Sequence, residues 1–429
     1  MKYKAINNAL FVENRKRFAD AMKPNSIALF ISNPQVPVSA DALYHFKQNP
    51  DFFYLTGVDQ EDCALMLYPD APDEKYKAVL FVRKTNETIA VWEGHKLTKE
   101  EATETSGIAK VKWHDEFENF IPQFVNTAEA IYLNTNEHSR KSSNFPYGDL
   151  LFANKIKAQF PLHELERAAP ILGRLRSVKS AIEVELIQKA CNITAAGFER
   201  IAKFVKPGVL EYEIEAEMIH EFIRQGANGF AYEPIIGSGH NACVLHYVDN
   251  NQPCKDGDML LMDFGANYAN YASDLTRTIP VNGKFTDRQK TVYNAVLRVM
   301  KAATDMLVPG AYLDAYHKEV GLLMQAELLQ LGLITEQEIK EQDEDKPAYK
   351  KYFMHGTSHH LGLDVHDVGN KYNAIQAGMV FTVEPGIYIP EENLGIRIEN
   401  DVLVTEGKPK DLMAHIPREV EAIEDLMNS

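Results

Sequence analysis

Long apolar runs are missing from this 429-residue sequence. No stretch approaches the roughly 20 uninterrupted apolar residues that cross a bilayer, and the opening MKYKAINNALFVENRKRFADAM has no apolar core of the kind a secretory signal needs. A soluble cytoplasmic protein with no membrane partner is expected. Cysteine is scarce. Cys63, Cys191, Cys243 and Cys254 are widely scattered and form no CxxC pair, which points away from a zinc knuckle or a disulfide scaffold and towards reduced packing residues. Basic charge is also in short supply. The 45 Lys and Arg against 61 Asp and Glu leave a formal charge of −16. Nucleic acid is therefore an unsuitable partner, because its binding draws most of its affinity from lysines and arginines gathered on one face. Part of the acidic excess is the run Glu336 to Asp345, EQEIKEQDED, which reads as a solvated helix or loop.

What the chain does have is length enough for two domains and, at 45% hydrophobic, the means to bury their cores. From Ser26 to about Asn134, the runs SIALFIS, DFFYLTG, CALMLYP, YKAVLFV and AIYLN read as short strands between polar or helical segments, a mixed α/β domain. After Pro170 the texture changes. Ser180 and Glu183 stand in capping-box spacing ahead of a helical apolar stripe through Ile187 and Phe204, so the domains are expected to be residues 1–173 and 174–429. Within the second, the segment PGVLEYEI from Pro207 recurs loosely as PGAYLDAY from Pro309, each between helical patterns. Two related halves are implied.

A β-hairpin comes later in each half. A turn centred on Tyr268-Ala269 predicts Asp263 opposite Asp274, and a turn centred on Glu391-Glu392 predicts Glu384 opposite Glu399, with Pro385 holding Glu384 extended. Like charges across a strand pair repel, and a carboxylate in an apolar run such as Leu260-Leu261-Met262-Asp263 loses its hydration. A cation would remove both penalties. Four such carboxylates can hold two divalent ions roughly 3.5–4 Å apart, a hydrolase geometry. The alternative is local pairing, Asp274 with Arg277 and Glu399 with Arg397. A nitrogen ligand could come from YFMHGTSHHLGLDVHDVG, where His355, His359, His360 and His366 crowd together.

The segments MDFGANYANYASDLTRTIPVNGKFT, HGTSHHLGLDVHDVG, TVEPGIYI and GIRIEND together resemble the pita-bread metallopeptidases, most closely the bacterial Xaa-Pro aminopeptidases (aminopeptidase P). FVENRKRFADAMKPNSIALFIS and DFFYLTGVDQEDCALMLYP resemble the creatinase/prolidase-type N-terminal domain. The resemblance implies an α/β (α+β) fold in which a mixed N-terminal domain precedes a pseudo-twofold pita-bread catalytic domain. It implies metal ligands at Asp263, Asp274, His359, Glu384 and Glu399, usually for two Mn²⁺ ions. It further implies catalytic roles for Glu384, His246 and His366, and substrate contacts from His246, His355, His366, Tyr388 and Arg397. His360 and Phe264 depart from the residues common at those positions in the family. The activity implied is hydrolysis of an N-terminal Xaa-Pro bond by a metal-bridged hydroxide, on peptides with proline second, in a cytoplasmic homo-oligomer. Prolidase is the close alternative, and a non-catalytic pita-bread binding protein the distant one.

Overall fold

The computed structural model describes residues 2–138, 140, 145–343 and 345–429. The chain divides into two compact units, Ala5–Arg176 and Ser177–Ser429, the second joined by the first residues of the chain.

In the first unit, six short strands form one mixed sheet in the order Lys110–Trp113, Ala78–Val82, Ala64–Leu67, Ser26–Ile31, Ala130–Leu133, Glu164–Arg167. Alternate residues, Ile27 and Leu29, Ala64 and Met66, Val79 and Phe81, Ile131 and Leu133, share one buried cluster, as the period-two side-chain alternation of strands requires. One expected strand is a helix. DFFYLTG lies in Pro50–Thr56, whose N-cap Asn49 accepts hydrogen bonds from the amides of Asp51 and Phe52, with Pro50 in the first turn and Gly57 closing the C-terminus at φ +69°. Capping at both ends overrides the strand preference of its aromatic residues.

The second unit repeats a helix pair followed by a hairpin. Helix Ala181–Phe204 opens with the reciprocal Ser180–Glu183 capping box, turns at Pro207-Gly208 and continues as Glu211–Arg224. Helix Asp287–Asp305 turns at Pro309-Gly310 and continues as Leu313–Gln330. Both Pro-Gly turns make the same two backbone hydrogen bonds, Gly208 N–H to Cys254 O with Cys254 N–H to Val209 O, and Gly310 N–H to Ile375 O with Ile375 N–H to Ala311 O. The internal repeat therefore extends to backbone detail. The acidic run is a short exposed helix, Glu336–Glu341, capped by Thr335 and Glu338; Glu344 lies outside the described residues. No helix among the described residues is long and apolar enough to cross a membrane, and the four cysteines are unpaired.

The two hairpins supply the floor of the site. Met259–Phe264 pairs antiparallel with Leu275–Pro280, and Val380–Val383 with Asn400–Leu403, the latter extended by Gly386–Ile389 against Leu394–Arg397. Close backbone approach in the first hairpin allows only glycine at 265, where a Cβ would fall 1.7 Å from the Ser273 carbonyl oxygen. Gly265→Ala is expected to lower stability by about 3 kcal/mol, the upper range for forced overpacking, and a thermal or urea melt reads it directly.

Candidate metal centre

The first hairpin closes through a two-residue turn, Ala269-Asn270, with positive φ at both residues (+53° and +66°), as the favoured hairpin turns require. Asparagine reaches that conformation at low cost, so Asn270 occupies the turn and does not flank it. The centre moves by one residue relative to the expectation. Asp263 consequently stands opposite Thr276, not opposite Asp274, and continuation of the register sets Asp274 against Gly265. Because 263 and 265 share a face, the two acids are diagonal neighbours on one side of the hairpin. The Tyr232 hydroxyl bridges them, 2.6 Å from Asp263 Oδ1 and hydrogen-bonded to Asp274 Oδ1. A phenol has one proton to donate, so the second contact calls for a proton on a carboxyl. Burial, reinforced by the charge of Asp263, pushes Asp274 well above the usual carboxylate range and fits that proton to Asp274.

In the second hairpin the pairs Val383–Asn400 and Gly386–Arg397 bracket Glu384 and Glu399 in one register, which sets these acids opposite one another as the turn at Glu391-Glu392 predicts. The hairpins are tied together at this level. Thr276 Oγ1 donates to Glu399 Oε2 at 2.6 Å, Glu399 N–H donates to Thr276 O, and Thr278 Oγ1 donates to Arg397 O. Glu384 is held by Thr382 Oγ1 at 3.2 Å and by its own amide, which donates to Thr357 O. Burial raises Glu399 well above its ordinary range, with the charges of Asp274 and Glu384 adding to the effect, and raises Glu384 in the same direction. The arginines do not pair with the acids nearest in sequence. Arg277 donates to the carbonyls of Pro417, Thr276 and Glu399 and to Asn400, while Arg397 Nη2 reaches Asp263 Oδ2 at 2.7 Å.

His359 enters from the loop ahead of Val380–Val383. Its Nδ1 lies 3.0 Å from His360 O, which fixes the tautomer as Nδ1–H and turns the Nε2 lone pair inward. Nε2 stands 3.5 Å from both Asp274 Oδ2 and Glu384 Oε1. Asp274, His359 and Glu399 each offer one ligand atom, and these atoms lie within 4.8 Å of one another. Oxygen-rich ligands with one imidazole suit a divalent cation such as manganese, and burial of uncompensated carboxyls provides the electrostatic reason for one.

Of the other predicted residues, His355, Tyr388 and Arg397 form a chain. Arg397 Nη1 donates to the Tyr388 hydroxyl at 2.8 Å, which lies 2.7 Å from His355 Nε2, and His355 Nδ1 lies 2.7 Å from Gly356 O. Every donor has an acceptor when His355 is neutral, and burial lowers its pKa to about 4. His366 is exposed with its ring edge-on to His359, centroids 4.5 Å apart. His246 is exposed in the turn after Gly239–Cys243, near enough to His355 for its charge to be felt. His360 is packing material, buried and tilted against Phe381 at 4.4 Å, and Phe264 is buried beside Phe222. Tyr232 has no signature in the sequence; it lies in the bend ahead of strand Ile235–Ser238, and the pairing of Ile235 with Asp263 together with the Ala231 N–H to Gly265 O hydrogen bond brings it beside the acids.

Residues 185–406 match Metallopeptidase family M24, and residues 11–132 match Aminopeptidase P, N-terminal domain. The chain is 36% identical over 433 residues to the Xaa-Pro aminopeptidase of Haemophilus influenzae, covering 97% of each. Among solved structures it is similar to aminopeptidase P from E. coli with the inhibitor Pro-Leu (33% identity, TM-score 0.87, 99% of each chain). The Zn-substituted E. coli aminopeptidase P in complex with product is comparably similar (33%, 0.88, 99% of each).

Proposed function

The chain belongs to metallopeptidase family M24, with an aminopeptidase P N-terminal domain ahead of the peptidase domain, and from this we propose that it is a metallo-aminopeptidase releasing the residue in front of a proline. The reading includes two divalent cations, Mn²⁺ by preference, on Asp263, Asp274, His359, Glu384 and Glu399. The observation that carries it is the meeting of His359 Nε2 with acids from both hairpins, 3.5 Å from Asp274 and from Glu384.

Divalent cations bound there supply Lewis-acid polarisation of the scissile carbonyl and lower the pKa of water towards neutrality. The residues do the rest. Glu384, buried enough for its pKa to rise yet with a side chain 20% exposed, takes the proton of the attacking water and delivers it to the leaving proline nitrogen. His366 and His246, both exposed beside the centre, donate to the carbonyl oxygen as negative charge develops. Arg397 and Tyr388 hold His355 neutral against Phe353, an apolar edge suited to a proline ring. A proline nitrogen carries no hydrogen, so a site that grips the ring serves where one that grips the amide fails. The same reading takes the protein as cytoplasmic and homo-oligomeric, supported by four unpaired cysteines and by Val91 and Trp92, more than 80% exposed.

Incubation with Mn²⁺ and a tripeptide carrying proline second is expected to release the first residue. Hydrolysis confined to the Xaa-Pro dipeptide would make the protein a prolidase. A protein that neither binds metal nor cleaves either peptide would be a non-catalytic member of the fold.

A further inference from the structure

Glu384 and His359 sit on backbone that must itself be held, and the loop 355–359, which ends on His359 and bonds the Glu384 amide, has few means of its own. Gly356 lacks a side chain, and the Thr357 hydroxyl is buried without a hydrogen-bond partner. Both backbone groups of Thr357 are nevertheless engaged. Its carbonyl accepts the Glu384 amide at 2.8 Å, and its amide donates to Nδ1 of His317 at 3.1 Å. His317 lies in the second turn of helix Leu313–Gln330, whose preceding residue, Tyr316, shares a 2.9 Å hydrogen bond with Ser358 Oγ. The loop runs tightly beneath the imidazole, since a Cβ at Gly356 would lie 3.1 Å from Cε1. His359, next along, is fixed on its other side by Thr382, which accepts the His359 amide and donates its own amide to His359 O.

We infer that His317 is a positioning residue for the peptidase reaction, acting as the acceptor that anchors Thr357 and, through the Thr357 carbonyl, the backbone of Glu384. The ring must offer a lone pair at Nδ1 and is therefore the Nε2–H tautomer. Burial lowers its pKa from the ordinary value, which keeps that lone pair available at neutral pH. A side chain valued only for bulk would need no particular atom at this point. An acceptor can be supplied by asparagine, whose Oδ1 occupies much the same place relative to the backbone as Nδ1.

The kinetic part of the test rests on the proposed peptidase activity; the exchange part does not. His317→Ala is expected to fold, to lower kcat on the proline tripeptide by about tenfold to a hundredfold with KM little changed, as misplacement of a reacting group does. In the metal-free protein, amide exchange of the segment 353–361 is expected to speed up by about tenfold as the Thr357 amide loses its acceptor. His317→Asn is expected to restore both. Unchanged exchange and unchanged kcat in His317→Ala would overturn the inference, as would a His317→Asn protein as impaired as the alanine variant. An inactive wild type would count against the peptidase reading alone, because exchange in the two variants still decides the role of His317.

Discussion

Glu384→Gln is expected to fold as well as the wild type and to lose about a thousandfold or more of its turnover. The two halves of this result have one cause. Glutamine keeps the shape and one carbonyl oxygen of the side chain, but it cannot accept and return a proton, and general acid–base groups contribute about a hundred- to ten-thousandfold to rate. The charge it removes is unfavourable to the metal-free fold. Burial and the neighbouring Asp263 raise the Glu384 pKa, although His359 and Arg397 oppose the rise. Neutralising the group therefore leaves the melting temperature of the metal-free protein unchanged or slightly higher. A steady-state assay beside a thermal melt separates this from a structural role, for which activity and stability would fall together. Turnover within tenfold of wild type would remove Glu384 from the proton path.

Much of the centre was legible because the second hairpin obeys simple rules. Pro390 and Asn393 bound its turn, Asn393 takes the left-handed conformation at φ +50°, and counting outward from Glu391-Glu392 brings Glu384 opposite Glu399. The same counting misplaces the first hairpin because two asparagines compete for the turn, and a shift of one residue in its centre moves every partner by two. Faces are preserved under that shift, so Asp263 and Asp274 still meet. The helical repeat was equally legible, since proline followed by glycine punctuates a helix pair whatever packs around it. Less visible were choices made in three dimensions. Arg397 could in principle neutralise Glu399, two residues away, but strand geometry directs its guanidinium to Asp263 and to Tyr388. Tyr232 and His317 belong to the site only through their partners, and a lone tyrosine or a histidine on a helix face carries no mark of that. The helix at Pro50–Thr56 shows the converse error, in which capping residues outweigh aromatic side chains with strand preference.

Stripping divalent cations with a chelator is expected to abolish turnover and to lower the melting temperature by an amount that grows with pH. Asp274, Glu399 and Glu384 are all raised in the metal-free fold, with burial the first cause for each. Unfolded, such groups titrate near about 4. The folded, metal-free protein thus holds protons more tightly than the unfolded chain, and the stability linked to them is complete below about pH 4 and lost as pH rises through the raised values. The metal-free melting temperature should fall between about pH 5 and pH 8. Cation binding runs the other way, because the ligands must shed their protons to bind, so affinity strengthens over the same interval. Cation at about a thousand times its dissociation constant adds about 4 kcal/mol, a gap of roughly 10 °C for a domain of this size, and that gap should be widest at the alkaline end. Asp274→Asn removes one of the titrating carboxyls and should flatten the metal-free curve. A metal-free melting temperature that stays level or climbs from pH 5 to pH 8 would mean that these carboxyls do not share one buried site, and the assignment of the ligand set would fall with it.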